Sequence, residues 1–107
     1  MKKLTMIIPE NLEEALADTL KTISEVQGFS FIHIEGHGEQ TLVDEGAEFQ
    51  EVSARDLVSG YSPKIRADLL LQDQHVETVL AALRATNMGL SGHTFYWVTA
   101  LETAGRL

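Results

Sequence analysis

The chain has 107 residues, 16 acidic against 8 basic, a net charge of -8 and no cysteine. That length fits one domain, residues 1–107, burying roughly 65% of its unfolded surface and needing no staples. The acidity disfavours nucleic acid and anionic membrane surfaces, which call for a basic face, and the missing cysteines exclude disulfides and thiolate metal sites.

The first apolar run, Leu4 to Ile8, stops at Pro9. It is too short for a secretory signal or a membrane span, so the expected location is cytoplasmic with no membrane insertion. Residues 3–8 read as a short buried strand. Asn11 followed by Glu14 reads as a capping box. Leu12, Leu16, Leu20 and Ile23 then recur at helical spacing, and Gly28 is the expected stop. Residues 29–35 are rich in aromatic and β-branched side chains and predict a second strand. Ile65 to Leu71 predicts a third. Asp73 is the expected cap of a second helix, in which Val76, Leu80 and Leu83 share a face. Gly89 is its expected end, and Thr94 to Ala100 the fourth strand. The order β-α-β-β-α-β predicts an α+β, ferredoxin-like sandwich, with an antiparallel sheet covered by two helices on one face.

A sheet covered on one face should alternate apolar and polar residues. The fourth strand does not: Phe95 and Trp97 point one way, Tyr96 and Val98 the other. Phe29 and Phe31 likewise oppose Ile32 and Ile34 in the second. Two helices cover one face only, so the second face is expected to meet another copy of the chain. Packing beneath the long segment between strands two and three is the competing expectation.

That segment runs from Gly36-His37-Gly38-Glu39-Gln40 through Glu45-Gly46-Ala47-Glu48-Phe49 to Pro63-Lys64. Structureless loops beyond about 12–15 residues are uncommon in compact domains and usually functional or disordered. Within it, Ser53 to Val58 could form a short helix ended by Gly60.

The chain has four histidines. His33 and His37 are four residues apart, which on a strand spans about 13 Å and excludes one shared ion. His33 reads as structural and His75 as solvent-facing. His37 and His93 both lie in glycine-flanked turns. With Glu39 nearby, they are the candidate ligands for a divalent transition metal. Gly89-Leu90-Ser91-Gly92-His93 is a glycine turn whose amides could cradle phosphate, without the lysine of a P-loop. Ser91 and His93 lack a strand–elbow context, so no catalytic constellation stands out and an enzyme is not expected.

Together these motifs resemble the PII-like signalling proteins, trimeric relatives of the nitrogen regulatory protein PII. Met1-Lys2-Lys3-Leu4 with Ile7-Ile8, and Leu12 to Leu16, resemble the family's first strand and helix. Gly36 to Gln40 matches its Gly-x-Gly-x-Gln, where strand two enters the T-loop. Glu45 to Phe49 resembles the Gly-Ala-Glu-aromatic stretch of that loop, and Pro63-Lys64 its closing pair. Met88 to His93 occupies the place of the B-loop.

The resemblance implies a homotrimer with sheets facing inward and adenine nucleotides in the clefts between subunits. It also implies a T-loop that contacts a regulated partner, often a membrane transporter. It assigns Gly36, Gly38, Gln40 and Lys64 to the cleft, Gly89 and Gly92 to phosphates, and Arg106 to the tail that reaches a neighbouring cleft. The chain departs from the pattern at four places. His93 stands where the B-loop lysine belongs, Ala104 where a second arginine is expected, Asp44 where the modifiable tyrosine sits, and Gln50 to Ser62 is longer than the matching segment. The leading expectation is a non-enzymatic PII-like regulatory trimer sensing a small ligand. The alternative is a metal-responsive protein of the same fold, linked to metal tolerance or efflux. A small ferredoxin-like enzyme is the third reading, distinguished by a closed pocket between sheet and helices.

Overall fold

The computed structural model describes residues 1–37, 61–90 and 92–107. Four strands and two helices make an α+β domain: β1 (Lys2–Pro9), α1 (Glu13–Thr22), β2 (Phe29–His37), β3 (Tyr61–Leu71), α2 (Val76–Arg84) and β4 (Phe95–Ala100). Every strand pair is antiparallel, and the order across the sheet is β2-β3-β1-β4. This arrangement is consistent with a ferredoxin-like fold.

The register explains the composition of each face. Leu4 pairs with Leu69, Met6 with Ala67 and Ile8 with Ile65. All six side chains are buried, and Leu16 and Leu20 of α1 and Val76, Val79, Leu80 and Leu83 of α2 pack on them. Phe29 and Phe31 join this core from β2, 5.3 Å apart between ring centres. The alternating strand residues face away from the helices. There Ile32 is 51% exposed, Leu70 49%, Phe95 70% and Trp97 40%. The two-sided apolar strands expected from the sequence are therefore present, with the second face open in the single chain.

The helix starts differ from the expected caps. Pro9, with φ -60, turns the chain directly into a 3₁₀ turn over Glu10–Leu12, and Glu13 N–H donates to the Glu10 carbonyl. Asn11 lies inside that turn, and α1 has no side-chain cap. An N-cap needs a non-helical backbone, which Asn11 lacks. Asp73 likewise lies inside a 3₁₀ turn, Asp73–His75, ahead of α2. Its carboxylate instead accepts from the Met1 ammonium at 2.6 Å and faces Lys2 at 3.7 Å. His75, expected to face solvent, is half-buried.

The glycine stops are also displaced. Helix α1 ends at Thr22 because Ile23 turns extended, φ -92 and ψ 112, and packs on the core. Helix α2 ends at Arg84, where Thr86 closes the last turn by donating both its N–H and its hydroxyl to Leu83 O. Gly28 and Gly89 lie in the connections beyond. β3 begins at Tyr61, four residues before the expected start. The helix expected at Ser53 to Gly60 lies outside the described residues.

Candidate functional site

The strand register gathers most of the candidate residues at one end of the sheet. Pro9 pairs with Lys64, Ile34 with Lys64, and Gly36 with Ser62. Phe95, the first residue of β4, pairs with Ile7 near the same end. The connection 38–60 and the turn that carries Gly89 and Gly92 therefore leave the sheet at one end. Gly38, Glu39 and Gln40 lie outside the described residues.

Lys64 and Gly36 form the tightest feature there. A Cβ on Gly36 would stand 2.8 Å from Lys64 Cγ and 3.2 Å from Ser62 O. Only glycine lets the Lys64 stem cross the neighbouring strand this closely. Lys64 is half-buried, and loss of water around its ammonium lowers its pKa from the usual lysine range. Among the described residues its ammonium has neither an ion pair nor a hydrogen bond. Two buried hydroxyls at this end, Ser62 Oγ and Thr94 Oγ1, also have no hydrogen-bond partner among the described residues. Each such group costs about 1–3 kcal/mol if it stays unpaired. Ser62 shares the Lys64 face of β3, and a half-buried cation beside that orphaned hydroxyl suits an anion with several acceptor oxygens. Thr94, next to Phe95, alternates to the helix side.

In the turn before β4, Gly89 and Gly92 take positive φ, 94° and 78°. L-residues adopt this backbone reluctantly. Leu90 is buried between them, and His93 N–H donates to Leu90 O at 3.0 Å. The turn is thus pinned by an apolar anchor. Arg106 follows in the C-terminal tail: β4 leaves the sheet at Ala100, opposite Lys2, and Leu101 N–H donates to Met1 O. Arg106 is exposed.

The metal candidates do not converge within one chain. His37 is on edge strand β2, and His93 lies two residues before the opposite edge strand β4. Three strand spacings, about 14 Å, separate those edges. One ion shared by both would need donors from two copies. His37 Nε2 lies 2.9 Å from Glu35 Oε2. No group of three or more ligand residues suited to a metal occurs among the described residues.

Sequence reasoning missed two polar clusters. His33 bridges β2 to the start of α1: Nδ1 is 3.1 Å from Glu10 Oε2 and Nε2 is 3.4 Å from Glu13 Oε1. The Glu10 hydrogen bond is the main cause that raises its pKa. A raised folded pKa means stability that is fully present below the unfolded value of about 6.5 and lost as pH rises through the folded value. The His33→Gln variant should therefore melt below the parent at pH 5.5 and converge with it at pH 8.5. Thermal melts across that range check this, and a constant offset would deny the histidine its role. The second cluster, Thr5, Arg66 and Asp68, lies on the open face. It was legible once β3 is started at Tyr61, because Ser62, Lys64, Arg66 and Asp68 then alternate with Pro63, Ile65, Ala67 and Leu69.

A shallow groove of about 420 Å³ runs between α1 and β2, over Phe29 and Phe31 and rimmed by Glu13, Glu14 and Lys21. It lies on the helix side of the sheet, whereas Lys64 faces away from the helices.

A family model described as "Protein of unknown function (DUF3240)" matches residues 1–107. Among solved structures, the chain is similar to the crystal structure of a DUF3240 family protein from Shewanella baltica OS155. The two are 19% identical with a TM-score of 0.71, over 99% of this chain and 94% of that one. No curated protein matches. No helix among the described residues is long and apolar enough to cross a membrane.

Proposed function

We propose that this chain, which belongs to the DUF3240 family, is a non-enzymatic regulatory protein of PII-like type with a ferredoxin-like fold. Three copies associate through the open sheet face. A small anionic ligand, an adenine nucleotide by the resemblance to PII-like proteins, binds where the connection 38–60 and the Gly89–Gly92 turn leave the sheet. Ligand binding is signalled through the segment between β2 and β3, which lies outside the described residues, to a partner such as a membrane transporter.

The observation that carries this reading is Lys64. Its ammonium is half-buried, has no partner among the described residues, and is held over Gly36 beside an orphaned serine hydroxyl. Holding a desolvated cation in that position costs stability, so a function that uses its charge is the economical explanation. The glycine turn before β4 adds amides. His93, in place of a lysine, supplies no fixed charge, so phosphate affinity falls mainly to Lys64 and to Arg106 of a neighbouring copy.

Calorimetric titration with ATP, ADP, AMP and cyclic AMP tests the reading. One of them should bind, and Lys64→Ala should weaken that binding by about tenfold or more, since a hydrogen bond to a charged group contributes about 1.5–3 kcal/mol. The same variant should melt no lower than the parent, because it removes a desolvated charge. Indifference of the parent to all four nucleotides would remove the nucleotide. Heat on titration with a divalent transition metal alone would favour the metal-responsive reading, with His37 and His93 drawn from different copies.

A further inference from the structure

The middle of the open sheet face sets a polar pair among apolar side chains, with Lys3 and Lys64 toward its two ends. By register, one row across it reads Ile32, Arg66, Ile7, Phe95, and the next reads Ser30, Asp68, Thr5, Trp97. Thr5 is fully buried, and its hydroxyl donates to Asp68 Oδ1 at 2.7 Å. Arg66 Nε–H donates to Asp68 Oδ2 at 3.2 Å. The Asp68 side chain is 19% exposed and that of Arg66 37%. An ion pair is thus set among Ile7, Ile32, Phe95 and Trp97, on the face proposed above to meet other copies.

The pair is only half used within one chain. A guanidinium has five N–H donors, and a carboxylate has about four acceptor sites. Arg66 spends its Nε–H, and its two Nη nitrogens have no partner among the described residues. Asp68 accepts two hydrogen bonds, one on each oxygen. Each copy therefore offers a forked donor and a carboxylate with spare lone pairs, side by side and with no net charge. That pair is complementary to itself. It favours a second copy over a partner of one charge sign, and it faces water in the single chain.

Resting on the reading that copies assemble through this face, we propose that the Arg66–Asp68 pair, propped by Thr5, fixes the register and number of the assembled copies. The remaining N–H groups of Arg66 donate to the Asp68 carboxylate of a second copy. The surrounding apolar side chains supply affinity but little direction, since apolar contacts tolerate sliding. A covered pair does not: a displaced copy would leave a guanidinium and a carboxylate desolvated and unmatched. A single polar position can set oligomer state in this way in other assemblies.

Sedimentation velocity and light scattering of four proteins test this: the parent, Arg66→Met, Asp68→Leu and the double variant. The parent should be one species of trimer mass. Arg66→Met should need at least about tenfold higher concentration to assemble, because a covered carboxylate loses its partner. The double variant should regain association but distribute over several masses, or settle at a new one. Arg66→Lys keeps the charge without the fork and should also lose the single mass; it serves where Arg66→Met does not fold by circular dichroism. A double variant with the parent's single mass and affinity would overturn the role of the pair and leave the assembly standing. A monomeric parent would overturn the assembly and the pair with it.

Discussion

Trp97→Glu combined with Phe95→Glu is expected to leave a folded monomer. Both side chains lie on the open face, where Trp97 pairs with Thr5 and Phe95 with Ile7. Their rings are 6.0 Å apart at 57°. Neither belongs to the core cluster, and in the single chain they are 40% and 70% exposed. Their removal therefore takes little from the subunit itself. At an interface the effect is large, because an aromatic side chain buries 150–250 Å² and dominates association energy. A glutamate in its place would be desolvated without a partner, at a cost of about 3 kcal/mol or more, or over a hundredfold in affinity. Light scattering at micromolar concentration should give a monomer mass, with far-UV circular dichroism unchanged. A variant that keeps the parent's mass would place the interface elsewhere.

This expectation was already legible in the letters, because a period-two pattern reports on both faces of a strand at once. Phe95-Tyr96-Trp97-Val98 cannot be one-sided, and the register confirms opposite directions: Tyr96 accepts from Arg84 Nη2 of α2, while Phe95 and Trp97 face away. The strands and helices themselves were legible for the same reason, since apolar periodicity reflects burial directly. The ends of the elements were less so. Asn11 and Asp73 have the chemistry of caps, but Pro9 and Gln72 begin 3₁₀ turns ahead of them, and Asp73 is taken by the Met1 ammonium. Capping propensity is local, and here more distant contacts override it.

The candidate site was legible in part. Gly36 and Lys64 could be singled out as motif members, but their contact depends on pairing β2 with β3 across the connection between them. The single sequence does not encode that register visibly. The separation of His37 from His93 is the converse case. Both are flanked by glycines and look equivalent in the letters, yet His37 ends strand β2 and strand order sends the two to opposite edges. His33 was read as structural, and its two carboxylates come from the 3₁₀ turn and the first residue of α1, too remote in sequence to be paired by spacing.

Leu20→Ala is expected to cost about 3 kcal/mol of subunit stability, within the range of about 2–5 for a buried leucine. Helix α1 holds to the sheet mainly through Leu16 and Leu20, its two buried residues, both 0% exposed. Both belong to the core cluster that includes Leu4, Met6, Ala67 and Leu69 of the sheet. A hydrogen-bonded sheet cannot collapse into the space a lost side chain leaves, so the cavity persists and adds to the transfer cost. Domains of this size have a total stability of about 5–15 kcal/mol, so the substitution removes a large share of it. The melting temperature should fall by roughly 10–20 °C, at fixed protein concentration so that assembly does not contribute. Glu14→Ala, on the exposed side of the same helix, should move stability by less than about 0.5 kcal/mol. Urea unfolding of both variants makes the comparison, with the slope unchanged if the unfolded state is the same. Similar midpoints for the two would mean that α1 does not anchor on Leu20, and the face of α1 assigned to the core would then be wrong.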